Sequence, residues 1–156
     1  MSGKKAGRLH FIYIAFMSGV YTLRYSLGVI YGSFFKDPQR PYVDKMMLHW
    51  GQKLLGLIKV RVKVSGEQNI PLTGERPVII MCNHSSLYDI PISAVALNKS
   101  MRMMAKRELF KIPIFSTALR RGEFISIDRH RREQSLKDLK RDKDKMLDAI
   151  IYLSKQ

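Results

Sequence analysis

The spacing of apolar and polar residues predicts alternating strands and helices over the second half of the chain. Three short apolar runs predict strands at 78–81, 102–105 and 124–127. Helical spacing predicts helices at 89–97, 114–120 and 132–153. Residues 60–64 alternate valine with basic residues and predict one further, half-buried strand. Strands that alternate with helices indicate an α/β layered domain with a mostly parallel sheet.

Apolar residues dominate the segment 9–35, which contains no acidic residue and has basic residues at both ends. Arg24 divides this segment, and neither half reaches the roughly 20 residues that span a bilayer. An arginine at the bilayer centre would also cost on the order of 3 kcal/mol. The pattern therefore predicts two short membrane-associating helices that enter and leave from the same face or lie in the interface. A buried helical hairpin of a soluble fold is the alternative.

Helical spacing of apolar residues at 43–58 predicts an amphipathic helix that packs on the core or lies on the membrane. The sequence leaves both positions open. We divide the chain into hydrophobic membrane-associating helices at 1–42 and the α/β domain at 43–156. No small-residue cleavage site follows the apolar segment, so the sequence does not predict a signal peptide.

The charge of the chain indicates an anionic partner. Its 156 residues carry 28 Lys and Arg against 13 Asp and Glu, a net charge of +15. Such an excess fits nucleic acid or a phospholipid surface, and the apolar N-terminal segment favours phospholipid. No nucleic-acid-binding signature occurs in the sequence. The single cysteine excludes an internal disulfide, and the histidines lack the spacing of metal ligands, so we expect a cytoplasmic setting and no metal.

The stretch "PVIIMCNHSSLYDIP" at 77–91 contains the strongest candidate for chemistry. Ser86 and Asp89 form a capping-box pattern, which alone would give Asp89 a structural role. A residue just before a helix and one in its first turn lie side by side, so Asp89 can accept the ring N–H of His84. That bond would leave the other ring nitrogen as a base beyond the end of a strand. Without a Gly-x-Ser-x-Gly nucleophile, such a base must activate water or a substrate hydroxyl.

The segment "NHSSLYD" resembles the N-H-x-S-x-x-D block of the glycerolipid acyltransferases, in particular the 1-acyl-sn-glycerol-3-phosphate acyltransferases. Three other stretches agree with that family in order and spacing: the lead-in "VSGEQNIPLTGERPVIIM", the Lys-x-Glu-Leu-Phe block in "AKRELFKIP", and "GEFISIDR". Together the blocks cover about 60–129, and the hydrophobic N-terminal helices match the family layout. The resemblance implies that 43–156 is an acyltransferase domain, incomplete at its C-terminal end.

The resemblance also implies roles for individual residues. His84 would be the general base that removes the proton from the free hydroxyl of lysophosphatidic acid as it attacks an acyl thioester, giving phosphatidic acid. Asp89 would orient and polarise His84. The substrate-binding residues would be Asn83, Lys106, Gly122, Glu123 and Arg129. Asn83 would shape the loop and Lys106 would contact the acceptor phosphate. Arg129 would be a second phosphate ligand or a surface arginine.

The implied co-substrate is acyl-coenzyme A or acyl-acyl carrier protein, with no other cofactor, at the cytoplasmic face of a membrane. The family's Phe-Pro-Glu-Gly-Thr-Arg block normally follows the "FISIDR" strand after one helix, whereas this sequence ends at "IIYLSKQ". That block supplies a phosphate-contacting Arg and a strand of the sheet. We therefore expect a fragment, or a relative that has lost activity. The alternative function is a non-catalytic lipid-binding module at the membrane surface.

Overall fold

The computed structural model describes residues 7–35, 39–66, 79–83, 85–127 and 150–155. Its α-helices are α1 (Arg8–Phe35), α2 (Gln39–Leu57), α3 (Asp89–Leu97) and α4 (Phe115–Arg121). Its strands are β1 (Ile79–Asn83), β2 (Met101–Lys106), β3 (Ile125–Ile127) and β4 (Ile150–Lys155). A 3₁₀ turn at Arg107–Lys111 links β2 to α4. The alternation of strands and helices predicted from the sequence is confirmed for residues 79–127.

The four strands form one sheet in the order β1-β4-β2-β3, and every pair is parallel. Asn83 is in register with Lys155, and Lys106 is in register with Ile127. The carboxyl ends of the strands therefore meet at one edge of the sheet, the carboxyl edge. We call the opposite side the amino edge.

Strand β4 corrects two expectations. The sequence predicted a helix as far as residue 153 and no strand at the end of the chain, yet Ile150–Lys155 forms a strand between β1 and β2. Its apolar residues include two isoleucines and a tyrosine, which favour strands, and both sides of its backbone pair with neighbours. The rest of the predicted helix, at 132–149, lies outside the described residues.

The N-terminal segment is also different from the prediction, because α1 is one continuous helix and not two short ones. Arg24 is exposed, so its charge does not interrupt the helix, and adding residues to an existing helix is favourable. The helical hairpin lies instead between α1 and α2. No helix among the described residues is long and apolar enough to cross a membrane.

Helices α1 and α2 pack antiparallel. The Tyr42 hydroxyl donates to the carbonyl of Gly28 at 3.2 Å, and the Trp50 indole donates to the Thr22 hydroxyl at 3.1 Å. The predicted helix at 43–58 is confirmed as α2, and the predicted boundary between 42 and 43 falls inside it.

Helix α2 runs beside the sheet from the amino edge to the carboxyl edge. Near its start, Asp44 accepts a bond from Arg102, which lies near the beginning of β2. Near its end, Gly51 approaches the carbonyl of Pro91 in the first turn of α3 so closely that an added Cβ would lie 3.0 Å away. Because α1 is antiparallel to α2, its N-terminal half extends towards the carboxyl edge.

The core lies between α2, α3 and the sheet, where Met47, Ala94, Met101 and Met103 are buried together. The predicted strand at 60–64 is not a strand, because residues 60–66 pair with no other strand in the described part of the chain. Val62 and Val64 are nevertheless half-buried while Arg61 and Lys63 are exposed. The alternating pattern therefore reflects valines that face the protein and cations that face solvent, without strand pairing among the described residues.

Candidate active site

Three residues predicted from the sequence meet at the carboxyl edge. Asn83 is the last residue of β1, Lys106 is the last residue of β2, and both are exposed. The intervening strand β4 separates them, which places their Cα atoms roughly 10 Å apart. Asp89 begins α3, six residues after Asn83. An amide and a carboxylate thus flank the turn that follows β1, and an ammonium group ends β2, the second strand from β1 in the sheet.

The Asp89 carboxylate holds this turn. Its Oδ2 atom accepts the backbone N–H groups of Ser85 and Ser86, each at 2.8 Å. The Ser86 hydroxyl accepts the N–H of Tyr88 at 3.1 Å. Only half of the predicted capping box forms, the bond from the Ser86 N–H to Asp89. Ser86 is not the N-cap: the helix begins at Asp89, its N-cap is Tyr88, and no side chain caps it. The carboxylate is therefore fixed in place by the backbone on the C-terminal side of His84.

His84 itself lies outside the described residues, so the hydrogen bond between its ring and Asp89 stays a prediction. Its two chain neighbours are both held: Asn83 by pairing with β4, and Ser85 by its bond to Asp89. Chemically, a histidine at this position would be able to exchange a proton with a substrate bound at the carboxyl edge.

Gly122 and Glu123 lie elsewhere. Gly122 is buried, and a Cβ added there would lie 2.9 Å from the Phe124 ring. Glu123 precedes β3 by two residues and so lies at the amino edge, away from Asp89. Its Oε2 atom accepts a hydrogen bond from Arg40 Nε at 2.7 Å and lies 3.5 Å from Arg102 Nε. Arg129 lies outside the described residues.

Sequence reasoning missed the role of Arg102, which it treated only as part of a strand. Its side chain is 2% exposed, and its guanidinium bonds Asp44 at 2.6 Å as well as approaching Glu123. An unpaired buried guanidinium would cost several kcal/mol, so these carboxylates are essential to its burial. A basic residue inside an apolar run was the available signal. This ion-pair cluster fixes α2 to the amino edge of the sheet.

Sequence reasoning also missed an apolar cavity of about 130 Å³, open to solvent on one side, between the helical hairpin, β2 and α4. Its lining includes Thr22, Val43, Trp50, Ile90, Ala105 and Leu119. Ile90 follows Asp89 and Ala105 precedes Lys106, so one end of the cavity is adjacent to the carboxyl-edge residues. The methionines of α2 and β2, which also line it, were the signal in the sequence, because methionine fills irregular apolar spaces.

Comparisons with known proteins agree on one family. The family model described as Acyltransferase matches residues 61–153, more than half of the chain. A 1-acyl-sn-glycerol-3-phosphate acyltransferase of Pseudomonas aeruginosa is 30% identical over 122 residues, which cover 74% of this chain and 46% of that protein. The chloroplastic 1-acyl-sn-glycerol-3-phosphate acyltransferase LPAT1 of Arabidopsis thaliana is 28% identical over 120 residues, covering 74% and 33%.

A solved structure is similar over most of the chain. It is the crystal structure of the 1-acyl-sn-glycerophosphate (LPA) acyltransferase PlsC from Thermotoga maritima, with a TM-score of 0.72 and 28% identity. The match covers 92% of this chain and 58% of that one. The chain thus spans less than half the length of the two curated relatives and somewhat over half of the solved structure.

Proposed function

Since this chain belongs to the acyltransferase family, we propose that it transfers a fatty acyl group from an acyl thioester to the free hydroxyl of lysophosphatidic acid. The product would be phosphatidic acid. The names of both curated relatives and of the similar structure support this acceptor. The observation that carries the proposal is the arrangement of the carboxyl edge. There Asp89 is fixed to the backbone of the two residues that follow His84, and Lys106 is the last residue of β2, two strands away from β1.

His84 would act as the general base. A free imidazole has a pKa of about 6.5, so near neutral pH it can accept a proton and return it. His84 would take the hydroxyl proton of the acceptor as the oxygen attacks the thioester carbonyl carbon. The carbon–sulfur bond then breaks, and the departing thiolate receives that proton from His84. Asp89 would hold the imidazole in the correct tautomer and stabilise its charged form.

Lys106 would bind the phosphate of the acceptor through a charge-assisted hydrogen bond. Arg129 would be a second ligand of that phosphate, and Asn83 would shape the loop before His84. Gly122 and Glu123 would influence the acceptor only through the position of β3, because their contacts lie at its amino end.

The apolar cavity would take the acyl chain. Its lining is almost entirely hydrocarbon, and one end adjoins the residues next to Asp89 and Lys106. A thioester held near His84 could therefore place its chain in the cavity, with either coenzyme A or acyl carrier protein as the group that leaves. Burial of the chain is favourable by about 0.8 kcal/mol per methylene group.

Helix α1 would place this site at a membrane. Large apolar residues of its N-terminal half are strongly exposed: Leu9 is 84% exposed, Phe11 69% and Phe16 68%. Because this half extends towards the carboxyl edge, insertion into the interface would bring the edge close to a membrane-dissolved lysolipid. We place the protein at the cytoplasmic face. The same exposed helix also favours a second candidate, a lipid-binding module without catalysis.

Acyl transfer by the 156-residue chain distinguishes the two candidates. The assay supplies lysophosphatidic acid with long-chain acyl-coenzyme A or acyl-acyl carrier protein, and compares the unchanged chain with His84→Ala and with the exposed-histidine control His10→Ala. We expect phosphatidic acid from the unchanged chain and His10→Ala only, and vesicle binding by all three. Vesicle binding without any product from a folded chain would reject the enzyme and support the module.

A further inference from the structure

A row of exposed cations follows α2. Helix α2 ends at Leu57, and the chain turns away from it at Lys59. Lys59 has a φ of 55°, and its N–H donates to the carbonyl of Gly56. Lys59, Arg61 and Lys63 are exposed, whereas Val62 and Val64 are half-buried. We call the three cations the basic ridge. Exposure and burial alternate from Arg61 to Val64, as in an extended chain, where alternate residues are about 6.6 Å apart, so Arg61 and Lys63 present neighbouring positive charges on one side.

Negative charge is absent from the sequence that leads into the basic ridge and from its ion pairs in the described part of the chain. From Lys45 to Gly66 the sequence contains five Lys and Arg and no Asp or Glu. Among the residues that the structure covers, none of the three ridge cations forms an ion pair. A cluster of exposed cations of this kind attracts anions, and the attraction weakens as salt is added.

The position of the ridge indicates which anion it meets. It begins at the end of α2 that faces the carboxyl edge, the side towards which the exposed apolar half of α1 also extends. Cations beside an exposed apolar helix match the boundary of a bilayer, where phosphate groups lie above acyl chains. A nucleic acid or an acidic protein would account for the charge and leave the apolar residues in water.

We propose that the basic ridge binds the phosphate groups of anionic phospholipids and so directs the carboxyl edge towards anionic membranes. This inference rests on the membrane association in the proposed function and adds a preference for anionic over neutral lipid headgroups. It requires no catalysis. Each ridge cation near an anionic surface contributes on the order of fivefold to binding, so loss of two should weaken binding by roughly 25-fold.

The test is co-sedimentation of the full chain with vesicles of phosphatidylcholine alone and of phosphatidylcholine with an equal share of phosphatidylglycerol. The variant Arg61→Gln/Lys63→Gln is compared with Lys45→Gln/Lys99→Gln, which removes the same charge from a cleft between α2 and the α3–β2 turn, towards the amino edge. Binding is measured at about 0.15 M and about 1 M salt. Acyl transfer in neutral detergent micelles is measured in parallel.

We expect the unchanged chain to prefer anionic vesicles, Arg61→Gln/Lys63→Gln to lose that preference, and Lys45→Gln/Lys99→Gln to keep it. High salt should remove the preference and leave the binding to phosphatidylcholine. Equal losses in both variants would show that only net charge matters and would overturn the proposal. Unchanged vesicle binding by the ridge variant would also overturn the proposal. This holds even if that variant loses acyl transfer from acyl carrier protein alone, because such a loss would indicate that the ridge contacts the carrier protein and not the lipid. Failure of the unchanged chain to bind any vesicle would instead reject the proposed membrane association and the ridge with it.

Discussion

At the scale of single residues, Asp89 combines a local role with a proposed catalytic one. Its bonds to Ser85 and Ser86 span only a few positions, which is why a local role for this carboxylate could be predicted from the sequence, although the N-cap proved to be Tyr88 and not Ser86. The pairing of Arg102 with Asp44 joins residues 58 positions apart, and that of Arg40 with Glu123 spans 83. Contacts of that kind depend on the completed fold, so no local pattern predicted them.

The two roles of Asp89 can be separated by changing its charge. Asp89→Asn keeps an acceptor oxygen for the backbone N–H groups and removes the negative charge that would stabilise a protonated His84. We expect acyl transfer to fall on the order of 10²- to 10⁴-fold, with little change in the unfolding temperature. Asp89→Ala should show the same loss and also destabilise the fold by about 1–2 kcal/mol. Full activity in Asp89→Asn would mean that the carboxylate is only a cap.

At the scale of elements, periodicity predicted α2, α3, α4 and strands β1 to β3, because each is marked by its own residues. It was wrong for the end of the chain and for residues 60–64. The strand β4 pairs with Ile79–Asn83, about seventy positions earlier, and such pairing overrides the local pattern. The opposite holds for 60–64, where an alternating sequence has no partner strand among the described residues.

The α1–α2 hairpin offers a matched pair of glycine substitutions in one helix. A Cβ at Gly32 would overlap the ring of Tyr42, whose hydroxyl bonds Gly28, whereas a Cβ at Gly19 would meet nothing within 4 Å. We expect Gly32→Ala to lower the free energy of unfolding by about 1–3 kcal/mol through overpacking. Gly19→Ala should raise it by up to about 1 kcal/mol through helix propensity. Denaturant unfolding measures both, and equal shifts would argue against close packing of the hairpin.

At the scale of the whole molecule, α2 connects the two edges of the sheet. The ion-pair cluster holds its start at the amino edge, its middle lines the cavity, and its end carries the basic ridge. The proposed lipid contact, acyl cavity and catalytic edge therefore depend on one helix being correctly seated. That seating can be tested at Asp44, the partner of Arg102, since Arg102 is the buried member of the cluster.

Breaking the cluster at its buried pair should cost far more than breaking it at the surface. Asp44→Asn removes the charge that lies 2.6 Å from a guanidinium only 2% exposed, and we expect it to destabilise the fold by about 3 kcal/mol. Arg40→Gln removes a pair whose side chains are both about one-third exposed, and the expected loss is below about 1 kcal/mol. Denaturant unfolding at low and high salt measures the loss of stability in both variants. Added salt should reduce only the loss caused by Arg40→Gln, because its ion pair is exposed. Equal losses would mean that burial of Arg102 does not seat α2, and that the hairpin is held by its apolar contacts alone.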